Sequence, residues 1–151
     1  MLPLLFLAYT NASWLGHTLT RAGAYIQQSL TLADRVADIH DALDRALAQA
    51  DVVITTGGLG PTSDDYTVAA LADYAGLPLV PHQPTLDHID ALLRRRGRTP
   101  NAHSQKMAML PQGATVLPNA AGAAPGLLLH LRGKPVFVLP GVPHEMKTLV
   151  Q

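Results

Sequence analysis

Glycines, hydroxyls and two adjacent carboxylates are combined in the run Thr56-Gly57-Gly58-Leu59-Gly60-Pro61-Thr62-Ser63-Asp64-Asp65. Residues without a Cβ let main chain approach a ligand closely, and the amides that open a following helix point free donors and a positive dipole end at an anion. The chemistry this suits is phosphate binding, with Gly57, Gly58, Leu59, Gly60 and Pro61 as the cradle and the Thr62 and Ser63 hydroxyls as further donors. No Gly-Lys-Ser/Thr follows, so the loop is not a Walker A motif, and it lacks the G-x-G-x-x-G spacing of a dinucleotide fold. Asp64 and Asp65 would repel a bare phosphate. A divalent cation such as Mg²⁺, Mn²⁺ or Co²⁺ resolves the conflict, because magnesium takes one or two carboxylates together with phosphate oxygens and retained waters. It would also neutralise charge building on a pyrophosphate under attack. A plainer reading has Asp64 or Ser63 capping the helix, with Asp65 in its first turn. Capping accounts fully for Asp64; a metal role for Asp65 leans on the resemblance given below.

Two more loops join strand-like to helix-like stretches: Asn119 to Gly126, which contains Gly122, and Leu139-Pro140-Gly141-Val142-Pro143. Each could bring backbone to a ligand, and each is also an ordinary turn. Glu145 suits the first turn of a last helix, facing its dipole. Lys106 and Arg98 are candidates for reaching a phosphate, against the simpler alternative of solvated side chains near helix ends. His40, His82, His88, His103, His130 and His144 are scattered, and no pair has H-E-x-x-H spacing, which argues against zinc. With no Gly-x-Ser-x-Gly elbow and no cysteine, the residues identify no nucleophile and base pair. Water is then the expected nucleophile in any hydrolysis.

These residues need elements to position them. Val52–Thr56 is a β-branched run bounded by Asp51 and two glycines, the pattern of a strand buried on both faces. Upstream, the apolar opening Met1–Ala8 reads as a buried strand; a signal-peptide core competes, but there is no basic leader or cleavage site. Asn11 can cap a helix carrying Ala12, Leu15, Leu19 and Ala22, stopped by Gly23. Tyr25 to Leu32 looks extended. Asp34 can cap a second helix with Val36, Ile39, Leu43 and Leu47 on one face, ending near Ala50. Helices are expected over about 65–74, closed by Gly76, over about 85–96, closed by Gly97, and over 101–109. Extended pieces follow at 115–117, 127–131 and 135–139, the last two forming a small C-terminal hairpin around Arg132-Gly133-Lys134. Alternation of this kind implies an α/β fold, a mostly parallel sheet flanked by helices, with ligands beyond the carboxyl ends of the strands.

At 151 residues the chain fits one domain, and 48% hydrophobic with 15% charged residues is ordinary globular composition. Formal net charge is zero, so no summed field draws the protein to nucleic acid. The apolar opening is far shorter than the roughly 20 residues that span a bilayer. No membrane partner is expected, and the lack of cysteine fits a reducing cytoplasm.

Four motifs in register carry a family resemblance: Thr10-Asn11-Ala12-Ser13-Trp14-Leu15, Gly57 through Thr67, Asn119 through Gly126, and Leu139 through Met146. Over nearly its whole length the chain resembles the N-terminal domain of CinA-like (competence/damage-inducible) proteins. The string Gly-Gly-Leu-Gly-Pro-Thr-x-Asp-Asp-x-Thr is the specific part. The resemblance implies a Rossmann-like, three-layer molybdopterin-binding domain, shared with MogA- and MoaB-like proteins of molybdenum-cofactor synthesis. In the CinA-like branch it implies metal-dependent ADP-ribose pyrophosphatase activity. In the cofactor branch it implies pterin binding or adenylyl transfer; a non-catalytic binding or assembly module is a third possibility. Carried over by position, Gly57, Gly58 and Gly60 hold ligand phosphates, Asp65 is the catalytic and metal-associated acid with Asp64 beside it, and Pro140 and Gly141 line the same pocket. Homo-oligomers are expected on the same ground. Two departures stand out. The family starts with a further strand and a Gly-Asp-Glu-Leu-like segment, whereas only Met1–Tyr9, with no acid, precede Thr10, and the chain stops at Gln151. Truncation at both ends is therefore expected.

Overall fold

The computed structural model describes residues 2–151, with side chains from Thr10 onward. In chain order the elements are α1 (Leu2–Arg21), α2 (Val36–Gln49), β1 (Val53–Thr56), α3 (Thr67–Ala75), β2 (Leu79–Pro81), α4 (Gln83–Arg95), α5 (Ala102–Lys106), β3 (Met109–Pro111), β4 (Thr115–Leu117), β5 (Gly126–Leu131), β6 (Lys134–Leu139) and α6 (Pro143–Val150). This is an α/β fold with a sheet flanked by helices. Four strands lie in the order β1-β6-β5-β4, and β2 and β3 form a separate antiparallel pair.

The pairing is more mixed than strand-helix alternation suggests. Only β1 and β6 run parallel, in the register Val53↔Val136 to Thr56↔Leu139, whereas β4, β5 and β6 form an antiparallel meander. Short connections explain this, because parallel neighbours in sequence need a crossover of about a dozen residues or more, longer than either link here. The β5–β6 turn is Arg132-Gly133, both at positive φ (51° and 76°), the combination that two-residue hairpins favour. That hairpin is no appendage: β6 occupies an interior position of the sheet.

Helices pack on both faces. On one face Leu43 and Leu47 of α2 and Leu71 of α3 meet Leu127, Leu129, Val136 and Val138 of the sheet. On the other, Leu15 of α1 and Met146 of α6 meet Leu139, with Trp14 and Ile54 at the margin. Gly76 closes α3 in the left-handed region (φ 64°) and Gly97 follows α4 at φ 67°.

Four expectations about the first third are corrected. The residues from Leu2 to Ala8 are helical, and α1 continues unbroken through Asn11, which is thus an interior residue and no cap; Met1 lies outside the described residues. A short apolar run carries no period that separates strand from helix, and Pro3 falls in the first turn, where its missing N–H is tolerated. Tyr25 to Leu32 joins no ladder among the described residues, and Tyr25 is 86% exposed. Asp34 does not cap α2; Arg35 holds that position, with its Nε donating to Asp38 at 2.8 Å.

Candidate functional site

The carboxyl ends of the two parallel strands lie side by side, so the loops leaving them meet. Gly57, just after β1, donates its amide to Leu139 O at 2.9 Å, extending the ladder by one residue. Gly57 and Gly58 then turn at φ 95° and 71°. Gly141, just after β6, presses on this turn so closely that a Cβ there would lie 3.1 Å from Gly57 Cα. Gly58 is equally constrained, since its own Cβ would fall 1.9 Å from Thr67 Oγ1, and its carbonyl accepts from the Thr67 amide at 3.2 Å. The start of α3 is thereby sealed to the loop.

Leu59 is buried in the core and anchors the loop from below. Among the described residues, no protein acceptor meets the amides of Gly58, Leu59 and Gly60. Gly57, whose amide is engaged, shapes the loop and does not donate to a ligand. Pro61 and Thr62 complete the turn, and Ser63 stands exposed with its hydroxyl 3.5 Å from Asp64.

Asp65 bends back over the loop. Its Oδ2 accepts from the Thr62 amide at 2.9 Å and from the Thr62 hydroxyl at 2.6 Å, and it fills the space where a Gly60 Cβ would stand. The Thr62 hydroxyl therefore faces this carboxylate. Since Asp65 is used in this way, α3 begins only at Thr67, with Tyr66 at the N-cap and no side-chain bond there. Capping by Asp64 or Ser63, the plainer reading of those residues, is thus corrected; Asp64 is exposed.

Lys106, at the end of α5, reaches across to the loop and donates to Thr62 O and to Asp65 O, the latter at 3.0 Å. Its ammonium holds the loop's carbonyls beside the amide cradle. Asn101 positions it by starting α5 with a capping box to Ser104. Arg98 lies exposed between α4 and α5.

Gly122 is held differently. A Cβ there would meet the Glu145 carboxylate at 2.1 Å, and its carbonyl contacts His88 Nε2 at 2.9 Å. Asn119, buried, donates to Glu145 Oε2 and Ala124 O, so Glu145 ties this loop to α6 rather than serving only the helix dipole. The far end of the same loop reaches the site: Pro125 lines a hollow with Gly58, Gly60, Asp65, Lys106 and the apolar side chains of Leu79, Met107 and Met109. Pro140 is fully buried under the β6 loop.

Sequence reasoning missed Leu79, Met107 and Met109: β2 and β3 are three-residue strands without a readable period, and the helix expected over 101–109 ends at Lys106, with Met107 at its C-cap and Met109 in β3. It also missed where Asn11 points. Asn11 is 2% exposed and donates Nδ2 to Gly141 O at 2.8 Å, a contact across 130 residues of chain.

Do the residues suit a divalent cation? Among the described residues, no three His, Cys, Asp or Glu side chains converge. Asp65 commits Oδ2 to Thr62 and leaves Oδ1. One carboxylate oxygen completed by ligand phosphates and waters is the magnesium mode, so a cation arriving with a diphosphate fits, whereas a site made of protein ligands alone does not.

Comparison with known proteins agrees with this fold. Residues 8–151 match the model of a family described as a probable molybdopterin binding domain. A protein of Aeropyrum pernix is 46% identical over 142 residues, which are 94% of this chain and 53% of that protein. A CinA-like protein of Myxococcus xanthus is 38% identical over 142 residues, covering 94% of this chain and 34% of its own length. The chain thus spans about half of one relative and a third of the other. Among solved structures, CinA from Thermoplasma acidophilum superposes with a TM-score of 0.84 at 36% identity, covering 93% of this chain and 82% of that one. A molybdenum cofactor biosynthesis protein B superposes at 0.57 with 18% identity over 93% of this chain and 75% of its own, a likeness of fold alone. No helix among the described residues is long and apolar enough to cross a membrane.

Proposed function

Since this chain belongs to the molybdopterin-binding domain family and resembles its CinA-like members, we propose that it binds a nucleotide diphosphate on the Gly58–Gly60 amides and hydrolyses the pyrophosphate of ADP-ribose or a related nucleotide. The observation that carries this reading is the open turn between the ends of β1 and β6, whose amides of Gly58, Leu59 and Gly60 have no protein acceptor among the described residues. Free main-chain donors at the carboxyl edge of adjacent parallel strands are where an α/β fold takes an anionic ligand.

In this reading Gly57, Gly58 and Gly141 allow the close approach, and Thr62 keeps Asp65 turned toward the cradle. Lys106 fixes the loop and places a positive charge at its rim. Asp65 would hold a divalent cation, Mg²⁺, Mn²⁺ or Co²⁺, which when bound neutralises charge on the diphosphate. The apolar hollow of Leu79, Met107 and Met109 next to the loop offers a surface for a flat ring, which suits a pterin as well as an adenine.

Calorimetry with ADP-ribose against molybdopterin separates the two branches: micromolar binding of ADP-ribose, followed by metal-dependent release of AMP and ribose 5-phosphate, supports the hydrolase. Binding of molybdopterin alone moves the assignment to the cofactor branch. A folded chain that binds neither is a non-catalytic module.

A further inference from the structure

Zero net charge conceals a division of charge along the chain. Residues 1–90 hold ten of the eleven acids and three of the eleven lysines and arginines; residues 91–151 hold one acid and eight of those bases. Four of the eight are engaged within the fold: Arg132 on Asp44, Lys134 on carbonyls at the end of α2, Lys106 on carbonyls of the glycine loop, and Lys147 over the Trp14 ring. The other four stand together. Arg94 and Arg95 end α4, Arg96 is its C-cap and Arg98 follows Gly97, all of them exposed. Among the described residues none of these four guanidinium groups has a hydrogen bond or an ion pair. The α4 dipole favours cations in the last turn, but its effect fades within that turn and does not account for Arg98.

A surface of the opposite kind lies on α2. The extended segment before that helix leaves a hollow lined by Leu30, Leu32, Asp38, Asp41, Ala42 and Arg45. Leu30 and Leu32 are exposed there, as are Tyr25 and Ile26 earlier in the segment. Asp41 has no ion pair among the described residues, and Asp38 pairs with Arg35 at the surface. Apolar side chains beside carboxylates suit arginine in particular. Its methylene stem lies along leucines, its planar guanidinium takes a carboxylate through two parallel N–H bonds, and it stacks on tyrosine rings. Arg45 lies one turn beyond Asp41 and repels cations, so arginines would seat toward Asp38 and Asp41. Within one chain the two surfaces do not pair, since none of the four arginines reaches Asp38 or Asp41. We propose that the Arg94–Arg98 end of α4 in one copy of this chain docks into the hollow at Leu30, Leu32, Asp38 and Asp41 of a second copy. The joined surfaces differ, which makes the contact head-to-tail. It is independent of the nucleotide reading given above.

The test is sedimentation equilibrium on the parent chain, on Arg94→Glu with Arg95→Glu, and on Asp38→Arg with Asp41→Arg. The parent is expected to associate at about 100 µM protein in about 0.05 M salt, with a Kd at least about tenfold weaker in about 0.5 M salt. Each charge-reversed variant alone is expected to be monomeric. Their equimolar mixture associates again, because the reversed arginine surface meets the reversed hollow with opposite sign and the two native surfaces still match. Should either variant fail to fold, Arg98→Cys and Asp41→Cys replace them in a chain that has no other cysteine; a disulfide then forms faster in the mixture than in either variant alone. A parent that stays monomeric, an association indifferent to salt, a reversed variant that associates like the parent, a mixture that does not recover, or equal cross-linking rates each overturn the proposal. A monomeric parent that binds single-stranded DNA through the same arginines overturns it in favour of a nucleic-acid surface.

Discussion

Asp65 ties down the loop through Thr62 and, in the function proposed above, also holds a cation; substitution can separate the two. Asparagine preserves an oxygen for the Thr62 amide and hydroxyl but removes the charge that would hold a cation; alanine removes both. Asp65→Asn is expected to melt within a few degrees of the parent while losing at least about 100-fold in metal-dependent turnover. Asp65→Ala loses the same turnover and, in addition, about 1–2 kcal/mol of stability in urea. Equal turnover in Asp65→Asn and parent would remove the carboxylate from the chemistry. At Gly58 a side chain is excluded on steric grounds: alanine there must adopt φ 71° and place its Cβ 1.9 Å from Thr67 Oγ1. Gly58→Ala should cost roughly 2–4 kcal/mol and displace the N-terminus of α3, read from the urea midpoint.

At the scale of elements, the β5–β6 hairpin is clamped to two helices. Lys134 donates to Leu47 O and Ala50 O, both at 2.8 Å, satisfying carbonyls that the end of α2 leaves open. Lys134→Met is expected to cost about 1–2 kcal/mol by chemical denaturation, and a change below 0.3 would show that water satisfies those carbonyls equally well. On the other side of the turn, Asp44 of α2 accepts from Tyr74 of α3 at 2.7 Å and from Arg132. The Tyr74 hydrogen bond first, and Arg132 second, hold the Asp44 carboxyl below its ordinary range. A depressed folded value means that this contribution is present above the ordinary aspartate value, about 3.9, and is lost as pH falls through the folded one. Tyr74 is raised, by burial and then by the Asp44 hydrogen bond, so its contribution is present below about pH 10 and is lost as pH rises through its folded value. Asp44→Asn should therefore lose a small amount of stability above about pH 4, small because the pair is exposed, and show a correspondingly flatter acid limb.

For the whole molecule, the sheet separates two apolar clusters, one under α2 and α3 and one under α1 and α6. Leu71 and Met146 are both fully buried, on opposite faces. Either residue changed to alanine should cost about 2–5 kcal/mol. The double variant should cost the sum within about 0.5 kcal/mol, because the two sites share no partners. A single urea transition is expected throughout, and two transitions would mean that the faces fold independently.

Local rules carry far in this chain. The β-branched run at 52–56, the glycines that end α3 and α4, and the Arg132-Gly133 turn each follow from dihedral preference or period, and all could be read from neighbours in the chain. The loop from Gly57 to Asp65 was legible for the same reason, since its chemistry is written in consecutive residues. What required tertiary structure was everything built from residues far apart: the parallel pairing of β1 with β6 that brings Gly141 onto Gly57, the reach of Lys106 to the loop carbonyls, and the tie from Glu145 to Gly122. Asn11 shows the limit most clearly. Read locally, an asparagine before an apolar period is a cap; in the folded chain the helix runs past it and its amide meets Gly141. Backbone preference acts over a few residues, whereas burial is settled only when distant segments exclude water together.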